Sequence, residues 1–159
     1  ASDYLPPVQR VFETIAFAKV SASAPDAERL GYLRPIDAVT MNRERLMADA
    51  KSRALHRVSE GYSPPAPRHA IRVGGDTVSA PLKLGIHLAW RAGRISDHDA
   101  VIGRTLATVM AGGALPHPST VTEQQLLDLE REAFLSLVGE KKTLERIQHT
   151  LKTGKPLRN

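Results

Sequence analysis

The chain has no cysteine. That excludes disulfides, thiolate metal sites and a cysteine nucleophile. Aromatics are scarce, at one Trp, three Tyr and three Phe, so any core must be built from Leu, Val, Ile and Ala. No apolar run approaches the ~18 uninterrupted residues of a bilayer span. No basic-then-apolar leader opens the chain, and a cytoplasmic origin is expected from these absences. An initiating Met is missing too, and Ala1-Ser2-Asp3 runs almost directly into Pro6-Pro7. This leads us to expect an internal cut or a trimmed piece. The paired glycines Gly74-Gly75 and Gly112-Gly113 make neither G-x-G-x-x-G nor a Walker loop, so no phosphate cradle is readable. No serine lies in a G-x-S-x-G context.

What is present is ordinary for a globular domain. Of 159 residues, 42% are hydrophobic and 25% charged, within the usual range. Twenty-two basic residues against seventeen acidic ones give a net charge of +5. Such an excess can attract nucleic acid, anionic membrane or a phosphorylated cofactor. It is equally the surface of a soluble protein with a mild basic bias.

The pattern is helical nearly throughout. Pro6 and Pro7 suit a first helical turn, and Val8, Val11, Phe12 and Ile15 follow at helical spacing. A short helix is expected after Ser23, ended by Gly31. Thr40 is the expected N-cap of a long helix running to about Gly61, with Leu46, Met47, Ala50, Ala54, Leu55 and Val58 as its stripe. Ser63-Pro64-Pro65-Ala66-Pro67 is a stiff linker. Ile71 to Val78 suggests a small hairpin turning at Gly74-Gly75.

Four helices are expected beyond it. The first starts at Ser79 with Pro81. The second starts at a capping box from Ser96 to Asp99 and stops at Gly112-Gly113. The third starts at Thr122-Glu123-Gln124-Gln125, a capping box of the S/T-x-x-E/Q type. The last carries Leu144, Ile147 and Leu151 and ends at Gly154.

Little chemistry is self-sufficient. The six histidines include no H-x-x-x-H pair. Asp97-His98-Asp99 is the one local cluster with metal-like composition, but at a helix start its carboxylates are better read as complementing the free N–H groups and the dipole. Glu130 and Glu132, at i, i+2, cannot share a helix face. Lys141-Lys142, Arg146, Lys152, Lys155 and Arg158 gather near the end. Basic groups there complement a helix carboxyl terminus, and the sharper reading is phosphate binding. Sequence-independent nucleic-acid binding would want aromatics interleaved with the basic residues, and they are absent.

Two stretches carry a resemblance. Val20-Ser21-Ala22 followed by Ala27-Glu28-Arg29-Leu30-Gly31-Tyr32-Leu33 resembles the pattern that follows the active-site region in the crotonase (enoyl-CoA hydratase) family. Tyr32 stands for the usual Leu, and Lys19-Val20 for the usual Thr-Gly context. The run Thr122 to Phe134 and the ending Leu151 to Asn159 resemble the carboxyl terminus of bacterial proteins that fuse a 3-hydroxyacyl-CoA dehydrogenase to an enoyl-CoA hydratase. The resemblance implies a parent acting on acyl-CoA, with NAD in its dehydrogenase part. It also implies that the family's oxyanion-holding N–H groups and two glutamates lie upstream of this chain. By position, Phe134 and Val138 are its acyl-pocket candidates, and Lys152 and Lys155 its candidates for the CoA phosphates.

The expectations are these. The fold is mainly α, with about seven helices, the last four a compact bundle, and a small hairpin near 71–78. Residues 1–62 form a helical segment, 63–78 a Pro/Gly-rich connector and 79–159 a four-helix segment. The function is that of a non-catalytic portion of a fatty-acid β-oxidation enzyme, covering the acyl-CoA pocket and supporting assembly. This segment binds no cofactor or metal of its own. Its partners are the upstream part of the same polypeptide and further copies, through an apolar patch. The rival reading is a free-standing basic helical module for an acidic partner or, less favoured, nucleic acid.

Overall fold

A computed structural model describes residues 3–159. The opening Ala1-Ser2, on which the expectation of an internal cut rested, lies outside the described residues. Seven α-helices occur among the described residues: α1 Leu5–Ala16, α2 Ala24–Leu30, α3 Leu46–Ser59, α4 Asp76–Arg91, α5 Asp97–Met110, α6 Glu123–Val138 and α7 Lys141–Thr153. A 3-10 turn, Arg43–Arg45, precedes α3, and two short strands, β1 Ile71–Val73 and β2 Ser119–Val121, complete the set. The chain divides into two compact units, one of Ala1–Ala18 with Arg68–Asn159, the other of Lys19–Pro67.

The first unit is built on α4 and α5, with α1 packed on both, α6 on α5 and α7 on α6. The four-helix bundle expected from the sequence is therefore joined by α1, which lies far away in the chain. Tyr4, Val8 and Phe12 recur every four residues on α1, as do Val78, Leu82, Ile86 and Trp90 on α4. Each set makes one apolar stripe. Phe12, Val78, Leu82 and Ile86 are buried together with Ala100, Ala107 and Ala111 of the α5 segment. Small residues on α5 let α4 come close. A Cβ added at Gly103 would sit 3.3 Å from Ile86 Cδ1.

The local signals act where they were read. Ser96 accepts from the Asp99 N–H while Asp99 accepts from the Ser96 N–H, and Thr122 and Gln125 do the same at α6. Each box satisfies N–H groups that a helix start leaves orphaned.

Two details differ from expectation. The antiparallel pair exists and Ile71–Val73 is one of its strands, but its second strand is Ser119–Val121, with Ile71 opposite Val121 and Val73 opposite Ser119. Gly74-Gly75 leads into α4 instead of turning a local hairpin. Helix α4 starts at Asp76 and not at Ser79, because main-chain carbonyls serve as its cap. The Gly75 N–H donates to Ala111 O and the Asp76 N–H to Leu115 O. Gly75 must be glycine, with φ 54°, and a Cβ there would lie 2.5 Å from His117 O. Gly112 is under the same double constraint, at φ 89° with Val73 Cγ2 2.5 Å from where its Cβ would be.

The second unit holds α2, the 3-10 turn and α3. Ser23 caps α2 by accepting from the Asp26 N–H, and Gly31 ends it in the left-handed region. Asn42, two residues beyond the expected Thr40, is the cap that the structure uses, accepting from the Glu44 N–H. Thr40 instead donates its hydroxyl to Asp49 Oδ2 at 3.1 Å. The cap moved because a 3-10 turn, not the α-helix, opens this segment.

Candidate functional site

Two features of the first unit adjoin: a polar latch where α5 begins, and an apolar cleft beside it. The latch centres on Arg146 of α7. Its Nη1 donates to Asp99 Oδ1 at 2.7 Å, and its Nε donates to Asn159 Oδ1 at 2.8 Å. Nη2 donates to Ser96 Oγ and to the Asn159 main-chain oxygen. Asn159 in turn donates to Glu145 Oε2 at 2.8 Å and to Lys142 O. The ion pair is largely sheltered, with 18% of the Arg146 side chain and 20% of Asp99 exposed. Sheltered charge is stabilising only when fully paired, and here the hydrogen-bond set supplies the pairing. Burial alone would raise the Asp99 carboxyl. The Arg146 guanidinium and the Ser96 N–H outweigh it and hold Asp99 below the usual carboxylate range.

The members of Asp97-His98-Asp99 turn three ways. Asp97 accepts from Trp90 Nε1 at 2.6 Å. His98 is buried and shares a hydrogen bond with Thr143 Oγ1 at 2.8 Å. Burial, with the charges of Arg146 and Lys142, pushes the His98 pKa down from its ordinary value. No group of three His, Asp or Glu side chains that could hold a metal ion occurs among the described residues.

The cleft has a volume of about 370 Å³, within the range of ligand sites, which are typically apolar with a few polar groups. Phe12, Ala16 and Phe17 of α1 and its end form one wall. Leu82, Gly85, Ile86 and Ala89 of α4 form the floor, with Gly103 of α5 beside them. The tail contributes Pro156, Leu157 and Arg158, and Asp99 and Arg146 close one end.

The residues nominated from the sequence lie elsewhere. Phe134, on α6, is 57% exposed, and Val138 is half-buried at the end of the same helix. Lys152 is exposed in the last turn of α7, and Lys155 is exposed just beyond it. The Lys155 main-chain oxygen accepts from the Thr150 and Thr153 hydroxyls. None of the four lines the cleft. Sequence reading missed Arg146 as an organising residue and Arg158 as a cleft residue. The usable signal was weak: two arginines in a basic cluster, with no local carboxylate to absorb them.

Fold and cleft define a mainly helical segment without a dinucleotide fingerprint or a metal centre among its described residues. Over 150 residues the chain is 46% identical to a protein of Bacillus subtilis (strain 168) described as a "probable 3-hydroxyacyl-CoA dehydrogenase". The match takes in 94% of this chain and 19% of that relative, so the chain spans about a fifth of its length. No protein-family model matches the chain, and no solved structure matches it. No helix among the described residues is long and apolar enough to cross a membrane.

Proposed function

We propose that this chain is a non-catalytic helical portion of a fatty-acid β-oxidation enzyme of the 3-hydroxyacyl-CoA dehydrogenase type. The observation that carries the reading is the 46% identity over nearly the whole chain to about a fifth of such a protein. A dehydrogenase needs a glycine-rich dinucleotide loop, and this chain has no such fingerprint. Its catalytic groups and its NAD would therefore belong to the rest of the polypeptide.

The finer reading rests on the sequence resemblance. It makes the chain the carboxyl-terminal end of a dehydrogenase–enoyl-CoA hydratase fusion, covering the acyl-CoA pocket and supporting assembly. Exposed Phe134 and neighbouring Val138 would face the acyl pocket of the whole enzyme. Lys152 and Lys155 would meet the CoA phosphates. Exposed Phe134, Leu135 and Leu151 supply apolar surface for assembly contacts.

The test compares the 159-residue chain with the product of the whole reading frame. Crotonyl-CoA hydration and NAD-dependent oxidation of a 3-hydroxyacyl-CoA are measured on both. Turnover by the whole product and none by the chain is the expected result. Turnover by the purified chain would sink the reading.

A further inference from the structure

We propose that the cleft between α1, α4, α5 and the tail is a binding site for an aliphatic chain bearing an anionic head group, with Arg158 as the head-group contact.

The floor carries the first argument. Gly85 is the tenth residue of a sixteen-residue helix, where glycine weakens the helix relative to alanine. Nothing in the packing requires it, because a Cβ built on Gly85 would meet no atom within 4 Å. Its φ does not lie in the left-handed region either. Gly85 is exposed and lines the cleft, so the space over it opens into the cleft. A residue that costs helix stability and only keeps a cavity open has its explanation in what enters the cavity.

Shape carries the second. Pro81, Gly85 and Ala89 lie at i, i+4 and i+8 on α4, so this strip of the cleft floor runs along about 12 Å of helix. Its walls, Phe12, Phe17 and Leu157, are apolar. A long apolar trough suits a flexible hydrocarbon chain better than a compact ring.

Charge carries the third. Of the polar lining groups, Arg146 and Asp99 satisfy each other, and Glu13 accepts from Gln9. Arg158 has no ion pair or side-chain hydrogen bond among the described residues. It neighbours Asn159, which the latch holds to Arg146, so its main chain is fixed at the latch end while its side chain is uncommitted. A carboxylate or phosphate at that end would pair with it.

The site does not depend on the function proposed above. A free fatty acid carries both the chain and the anionic head, whereas the acyl group of a thioester shares only the chain because its carbonyl is neutral, and competition distinguishes them. A diazirine-bearing dodecanoic acid is photolysed with the intact polypeptide that carries this chain, and labelled peptides are mapped by mass spectrometry. Mapping separates the cleft from any other acyl site in the same polypeptide. We expect label on α1, α4 and the 155–159 tail. Gly85→Leu and the larger Gly85→Phe should lower that label roughly tenfold or more by filling the trough, with the unfolding midpoint unchanged or raised.

Arg158→Ala, at an exposed position that leaves the fold alone, should weaken competition by dodecanoate about fivefold and leave competition by dodecanol unchanged. Stronger competition by dodecanoate than by dodecanoyl-CoA is expected for the free acid, and the reverse would overturn the assignment of an anionic head group to Arg158. Absence of label from these three segments, or label undiminished in a folded Gly85→Phe variant, would overturn the proposal.

Discussion

The two units spend their apolar residues differently. In the unit of Ala1–Ala18 with Arg68–Asn159, the stripes of α1 and α4 are buried against the small residues of α5. In Lys19–Pro67, Ala27 is the one buried apolar residue among those described, and α3 buries none. Helix α3 nonetheless has an apolar stripe, with Leu46, Met47, Leu55 and Val58 all more than half exposed. A helix of α3's length is marginal in water on propensity alone. Amphipathic pattern is thus enough to shape a helix, but burial decides whether its stripe contributes to stability.

Substitutions can break or sharpen that contrast. The largest effect is expected at Gly112, where any side chain meets both a left-handed backbone and Val73. Gly112→Val should cost about 4 kcal/mol, a strained backbone plus an overpacked contact, measured by urea unfolding. Ile86→Ala should follow at about 3 kcal/mol, from lost transfer energy and the cavity left over Gly103. A cost below about 1 kcal/mol there would mean that the α4–α5 core is looser than its burial implies.

The next effect is pH-dependent. Unfolded His98 takes up a proton near its ordinary pKa of 6.5, whereas burial and the Arg146 charge hold the folded group neutral to lower pH. Stability from this group is complete above that value and declines as pH falls below it. His98→Gln should flatten the decline that sets in as pH falls below 6.5. An unchanged slope would place its cause elsewhere. Asp99 acts in the same sense at more acidic pH: its folded carboxyl is held below the usual 3.8, so its contribution is complete above that value and declines as pH falls below it. The smallest effect is expected in the second unit. Leu55→Ala should change stability by no more than about 0.5 kcal/mol, as for an exposed site. A loss near that of Ile86→Ala would show that α3 has a partner covering its stripe.

Much of the local structure was legible. Ser23 and Gly31, the boxes Ser96–Asp99 and Thr122–Gln125, and Gly154 all mark helix ends as read. These signals work because donor and acceptor lie within four residues, so sequence spacing is already geometry. The misreadings share an opposite cause. Gly74-Gly75 has the composition of a hairpin turn, but β1 takes a partner some fifty residues away. Thr40 is a good cap by type, yet Asn42 is better placed for the 3-10 turn that actually forms.

What the sequence by itself determined is the number and kind of helices, most of their ends, and the exclusion of thiol chemistry. These follow from backbone hydrogen bonding and from residue types that are absent. Only the tertiary structure decided that α1 joins α4 and α5, that Arg146 finds Asp99 across 47 residues, and that an open trough remains over Gly85. Each depends on side-chain volumes contributed by several distant elements at once, and no periodicity along one element encodes that sum.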